Sequence, residues 1–131
     1  CELAKEAGAK RAVLLPVSAP FHCALMQPAA DAMDEALGAV QINAPAVPVM
    51  ANVTAAPVED PGEIKRLLVE QVTGMVRWRD CVTQLKAQGI DTLVEIGSGK
   101  ILAGLARRID REIAVQNVGT PDEVEAFLAS L

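Results

Sequence analysis

Aromatic residues are scarce in this sequence of 131 residues, which contains no tyrosine, two phenylalanines and one tryptophan. The chain is nevertheless 51% hydrophobic, with a mean hydropathy of +0.27. Because so few of these residues are aromatic, the core must be built from aliphatic side chains. This composition excludes a disordered tail, and the length is that of one ordinary domain. The net charge of −5 and the lack of aromatic residues between basic ones argue against nucleic-acid binding.

Cysteine is also scarce, with Cys1, Cys23 and Cys81 far apart in the sequence. Such a set fits neither a disulfide framework nor a zinc site, so we expect reduced thiols, no metal and a cytoplasmic protein. No run approaches the roughly 18 apolar residues of a transmembrane helix, and no secretory signal is present, so we expect no membrane partner. Because the sequence begins in a helical pattern without methionine, we expect it to be part of a longer protein.

Short apolar runs alternate with helical patterns, which predicts an α/β fold with a largely parallel sheet. The predicted strands cover residues 11–16, 47–53, 92–96 and 113–116. The predicted helices cover residues 2–7, 25–38, 61–72, 78–87, 100–108 and 121–131. Pro48 restricts the second strand to an edge position or to a start where no donor is needed.

The glycine turn at residues 97–100, Gly-Ser-Gly-Lys, invites comparison with a phosphate-binding loop. The complete phosphate-loop pattern needs a glycine where Val94 stands and a serine or threonine where Ile101 stands. We therefore favour a structural turn between a strand and a helix.

His22 is the only histidine of the chain, and histidine is the residue type whose side chain titrates near neutral pH. Taken alone, a single histidine is more often structural than catalytic. A Gly-x-Ser-x-Gly nucleophile elbow is absent, because none of Ser18, Ser98 and Ser130 lies between glycines at that spacing. The residues by themselves therefore offer a candidate base without a nucleophile.

The segment around His22, residues 16–26 (PVSAPFHCALM), resembles the histidine segment of malonyl-CoA:acyl carrier protein transacylases. The related acyltransferase domains of fatty acid and polyketide synthases share this segment. Further matches to the family follow in the same order at residues 43–45, 47–53, 70–71, 76–78 and 95–102. The similarity extends over essentially the whole chain.

The resemblance implies the C-terminal part of an α/β-hydrolase-like core. Residues 1–19 would be the last helix and strand of a small ferredoxin-like subdomain, and residues 20–131 would belong to the large acyltransferase core. Family members also carry a Gly-His-Ser-x-Gly elbow and a malonyl-binding arginine before the histidine segment, and neither is in this sequence. The implied complete enzyme is a monomer that needs no cofactor beyond its coenzyme A thioester substrate.

The resemblance also implies roles for particular residues. His22 would be the general base and acid, and the backbone carbonyl of Gln71 would accept a hydrogen bond from its ring. Phe21 would favour malonyl over methylmalonyl groups by its volume, although it can equally be a packing residue. Asn52 would line the substrate pocket, or would simply form a turn at a strand end.

Two alternative classes of function therefore remain. The first is part of an enzyme that transfers a malonyl group from malonyl-CoA to the phosphopantetheine thiol of acyl carrier protein. The second is a non-catalytic α/β module that docks acyl carrier protein or another synthase subunit. Because the serine is missing from this sequence, we expect the chain alone to be inactive. Because the core would lack the strands and helices of the missing part, we also expect the chain alone to be only marginally stable.

Overall fold

The computed structural model of the protein describes residues 1–130, which form mixed α/β structure. The helices are α1 (Glu2–Glu6), α2 (Gln27–Gly38), α3 (Pro61–Thr73), α4 (Trp78–Ala87), α5 (Ile101–Ile109) and α6 (Pro121–Leu128). The strands are β1 (Val49–Ala51), β2 (Ala56–Val58), β3 (Thr92–Ile96) and β4 (Ala114–Val118). A short 3₁₀ turn, Ala24–Met26, leads directly into α2.

The strands pair in two separate sheets. β1 and β2 form an antiparallel hairpin in which Val49 lies opposite Val58. β3 and β4 are parallel, with Thr92 opposite Ala114, and α5 connects them as the crossover of a βαβ unit. The expectation of a largely parallel sheet is therefore right for the second pair and wrong for the first. The sequence patterns missed β2 because Pro57 stands in its middle, and proline lacks the N–H that a strand ordinarily donates.

The best-buried core lies where α4 and α5 pack over the β3–β4 pair. Val82 is fully buried, and Ala106 and Ile113 are nearly so. The side chains packed around these three are Trp78, Leu93, Ile109 and Val115. A second contact joins α2 to α3. This second contact matters for the site, since α3 carries Gln71 and the segment leading into α2 carries His22.

Two helix starts, those of α3 and α6, follow the capping signals of the sequence. The Asp60 carboxylate accepts from Glu63 N at 2.7 Å at the start of α3. Thr120 and Glu123 form a reciprocal capping box at the start of α6. The predictions for α4 and β3 are confirmed at both ends, and the other predicted helices differ from the structure by at most two residues at their described ends. The predicted end of the last helix, at Leu131, lies outside the described residues.

The prediction of a strand over residues 11–16 is wrong, because that segment is irregular in the structure. Its apolar side chains are exposed, with Leu14 at 89%. A strand needs a neighbour to take up its backbone hydrogen bonds. None of the described strands pairs with this segment.

Other large apolar side chains are also exposed. Ile96 at 76% and Ile101 at 75% flank the glycine turn, and Leu25 at 75% lies in the 3₁₀ turn. Among residues 1–130, no helix combines the length and the apolar character required to cross a bilayer. Residues 1–130 thus leave part of their apolar surface uncovered.

Candidate functional site

His22 lies in a tight bend between the irregular segment and the 3₁₀ turn. Its φ of +60° places it in the left-handed region, which residues other than glycine adopt rarely and which Ala55, at +54°, also adopts. The bend is held on both sides of the histidine. Phe21 N donates to Ala19 O at 2.9 Å, and the Cys23 thiol donates to Pro20 O at 3.1 Å.

The His22 ring is tied to a residue 49 positions away in the chain. Its Nδ1 lies 2.8 Å from the main-chain oxygen of Gln71. A carbonyl oxygen only accepts hydrogen bonds, so this contact requires the proton on Nδ1. In the neutral ring the lone pair is then on Nε2, which is the nitrogen available to take a proton from another group.

The Gln71 carbonyl is available because α3 ends just after it. An α-helix leaves its last four carbonyls without helical donors. Gly74 N still donates a helical hydrogen bond to Glu70 O at 2.9 Å, and the backbone then becomes extended at Gly74. Gln71 is therefore the first carbonyl that must find another donor, and His22 supplies it.

Charged side chains on the same helix are already paired with one another. Arg66 contacts Glu70 at 2.5 Å and Glu63 at 2.7 Å. The hydrogen bond from Arg66 lowers the pKa of the Glu63 carboxyl. These pairs are exposed and contribute little to folding stability. They do pair the carboxylate of Glu70, the residue before Gln71, with Arg66.

Phe21 lies beside the histidine, with ring centroids 6.2 Å apart, and its side chain is 58% exposed. Asn52 follows β1 and lines a cavity of about 120 Å³ together with Gln71. The Asn52 side chain accepts from the buried Cys81 thiol at 3.5 Å. Burial raises the pKa of that thiol. Asn52 begins the turn after β1, and the substrate-pocket roles of Phe21 and Asn52 stay predictions.

The sequence motifs give Gly74 no role, although in the structure it ends α3 close to the Gln71 carbonyl. A Cβ on Gly74 would lie 2.8 Å from Val53 Cγ2 and 2.9 Å from Glu70 O. Contacts that short leave no room for a side chain. The signal was present in the sequence as a glycine directly after a helical pattern.

The glycine turn before α5 offers no free anion site. The Glu95 carboxylate accepts from Leu102 N at 3.1 Å and from Ala103 N at 2.8 Å. The protein's own carboxylate therefore occupies the donors that a phosphate would use. Lys100 lies 3.7 Å from Glu123, so the lysine is also engaged within the chain.

All three cysteines are free thiols, with Cys1 exposed and Cys81 buried. Over residues 1–130 there is no group of three or more His, Cys, Asp or Glu side chains arranged to hold a metal ion.

Comparison with known proteins shows which proteins the chain resembles. The chain is 42% identical over 130 residues to the malonyl CoA-acyl carrier protein transacylase of Bacillus subtilis, a match that covers 99% of this chain. The crystal structure of acyl-carrier-protein-S-malonyltransferase from Bartonella henselae superposes on 98% of this chain, with a TM-score of 0.88 and 59% identity. The chain is a homologue of the malonyl-CoA:acyl carrier protein transacylases.

The match covers only part of these relatives. The chain spans 41% of the Bacillus subtilis protein and 41% of the Bartonella henselae chain. A malonyl-transacylase solved in complex with its type II polyketide-synthase acyl-carrier protein is also similar, at 37% identity and a TM-score of 0.86, with 42% of that chain covered. No protein-family model matches the sequence.

Proposed function

We propose that this chain is the histidine-bearing, C-terminal part of an [acyl-carrier-protein] S-malonyltransferase. In the longer protein, residues 1–19 would complete a small ferredoxin-like subdomain, and residues 20–131 would belong to an α/β-hydrolase-like core. The observation that carries the proposal is the 2.8 Å contact from His22 Nδ1 to Gln71 O. It orients a base in a chain whose relatives are malonyl transferases.

The first half-reaction moves the malonyl group onto a serine in the preceding part of the protein. The serine Oγ attacks the thioester carbon of malonyl-CoA while His22 Nε2 accepts the hydroxyl proton. The carbon–sulfur bond then breaks, and the protonated ring returns this proton to the coenzyme A sulfur. The products are a malonyl-serine ester and free coenzyme A.

The second half-reaction reverses these roles with a different thiol. His22 Nε2 accepts the proton of the phosphopantetheine thiol on acyl carrier protein, and the sulfur attacks the malonyl-serine ester. When the ester bond breaks, the ring gives the proton to the serine oxygen. Malonyl-carrier protein leaves, and no cofactor is consumed.

Stabilisation of the charged ring would come from main-chain atoms instead of an aspartate. The Gln71 carbonyl fixes the tautomer, which is the orienting task of the third group in a catalytic triad. A charge at a helix C-terminus gains about 0.3–1 kcal/mol when exposed and up to about 2 kcal/mol when partly buried. This modest stabilisation suits a ring that carries a positive charge only between accepting a proton and giving it up.

Phe21 and Asn52 are the candidate pocket residues. The ring of Phe21 next to His22 would crowd the α-methyl of a methylmalonyl group, a discrimination worth about 1–3 kcal/mol. Asn52 shares a cavity with Gln71 that neither His22 nor Phe21 lines, so its proposed role in the pocket rests on the resemblance to the family.

Two further observations support a longer protein with a carrier-protein partner. The exposed Ile96 and Ile101 are the kind of surface that a missing part of a core would cover. A similar transacylase was solved bound to its acyl-carrier protein. We infer that the complete enzyme is a cytoplasmic monomer that meets acyl carrier protein only during transfer.

The test is malonyl transfer to the phosphopantetheine form of acyl carrier protein by the protein expressed with the residues that precede Cys1. Changing His22 to Ala should lower the rate by about 10²- to 10⁴-fold, the usual contribution of a general base. Changing Gln88, an exposed residue at the end of α4, to Ala should leave it unchanged. An intact protein that binds acyl carrier protein without transferring malonyl would instead support the docking module.

A further inference from the structure

Two different groups of Gln71 make contacts at the end of α3. The main-chain oxygen accepts from His22 Nδ1 at 2.8 Å. The side-chain amide Nε2 donates to the main-chain oxygen of Gly74 at 3.1 Å. The same residue thus contacts the catalytic candidate with its backbone and the peptide beyond the helix with its side chain.

We propose that the Gln71 side chain is a positioning residue, which fixes Gly74 and thereby keeps the Gln71 carbonyl aimed at His22. The inference rests on the proposed function, because it presumes that His22 is the base. Its physical basis is the helix geometry. If α3 continued past Thr73, the N–H of Met75 would take up the Gln71 carbonyl, and His22 would lose its acceptor. The amide contact helps to hold Gly74 in the extended conformation that ends the helix.

The other side of the connection between α3 and α4 is held by the turn after β1. Arg77 N donates to Asn52 O at 3.0 Å, and Val53 packs so closely on Gly74 that a Cβ there would lie 2.8 Å from its Cγ2. The connection is therefore fixed on one side by the hairpin and on the other by the Gln71 amide. Loss of the amide contact would release the end of α3, which carries the Gln71 carbonyl that accepts from His22.

A loss of this positioning has a defined chemical consequence. An imidazole without an acceptor at Nδ1 populates the tautomer that carries its proton on Nε2, which cannot accept a proton from serine. The turnover number should fall, because fewer molecules hold the reactive tautomer. The KM for malonyl-CoA should stay nearly constant, because the side-chain amide that is removed is committed to Gly74 and not to substrate.

Changing Gln71 to Met is a suitable perturbation because it keeps the chain length and removes the donor. The side-chain Oε1 of Gln71 is buried and meets no donor within residues 1–130, so the variant also removes an unsatisfied acceptor, and folding should be retained. Gln71→Glu is the second variant, since a carboxylate cannot donate to Gly74 O. Gln84→Met, at an exposed position on α4, is the matched control.

The experiment uses the longer protein, with ¹⁵N-labelled histidine and the His22 signals assigned by their loss in His22→Ala. We expect Gln71→Met and Gln71→Glu to lower kcat by about tenfold to a hundredfold, with KM changed less than about twofold and the ¹⁵N shifts moved toward a tautomer mixture. Gln84→Met should match the parent.

The positioning role is refuted if His22→Ala abolishes transfer while both Gln71 variants keep the parental kcat and ¹⁵N shifts. If His22→Ala itself retains transfer, the proposed function fails instead, so the two failures are distinguishable.

Discussion

Replacing Gly74 with alanine tests whether the end of α3 is as tightly packed as the structure shows. Gly74 has a φ of −85°, which alanine adopts without strain, so backbone restriction alone would make the change stabilising by about 0.4–1 kcal/mol. The added Cβ, however, would lie 2.8 Å from Val53 Cγ2 and 2.9 Å from Glu70 O. Such overpacking costs about 1–3 kcal/mol, so we expect a net loss of about 1–2 kcal/mol in the free energy of unfolding.

Urea unfolding of the longer protein, followed by circular dichroism, measures this change. The control is a second glycine-to-alanine variant that should raise the free energy of unfolding instead of lowering it. Gly104 lies in α5, and a Cβ there meets no atom of residues 1–130 within 4 Å. Gly104→Ala should therefore stabilise the protein by about 0.5–1 kcal/mol. Adding Val53→Ala to Gly74→Ala should recover part of the loss, as expected for residues in contact. Equal stabilisation by both glycine variants would refute the packing argument.

Three further outcomes follow from individual side chains. The N–H of Gly119 lowers the pKa of the Glu123 carboxyl, so its stabilising effect is present above the ordinary pKa of about 4.3 and is lost as pH falls through the lowered value. Glu123→Gln should therefore be less stable than the parent at pH 7 and equal to it in strong acid, as pH-dependent melting would show. Burial raises the pKa of the Cys81 thiol, so iodoacetamide at pH 8 should alkylate the exposed Cys1 well before Cys81, and equal rates would contradict the burial. Phe21→Ser should raise methylmalonyl relative to malonyl transfer in the longer protein by about 10-fold or more, and unchanged selectivity would leave Phe21 as a packing residue.

Local signals in the sequence predicted most of the described elements. The helix Trp78–Ala87 and the strand Thr92–Ile96 match the structure at both ends, because glycines and periodic apolar residues mark them. Two errors have one cause. The hairpin strand Ala56–Val58 was missed and a strand at residues 11–16 was wrongly predicted, because strand formation depends on a partner that no local pattern reveals.

The site was less predictable than the fold. Sequence chemistry singled out His22 but supplied neither a nucleophile nor a partner for the ring. The contact with Gln71 joins residues 49 positions apart, and only the resemblance to a family pointed to it. The left-handed backbone of His22 and the exclusion of a side chain at Gly74 are products of tertiary packing, which propensities do not encode.

The most direct test of the central claim is a crystal structure of the longer protein, in which the distance from His22 Nε2 to a serine Oγ can be measured. We predict a serine of the preceding residues within about 2.6–3.2 Å of Nε2, the reach of a nucleophile–base hydrogen bond, while Nδ1 keeps its contact with Gln71 O. A His22 ring with no nucleophilic oxygen near Nε2 in the malonyl-bound protein, or one that has turned Nε2 toward Gln71, would contradict the account.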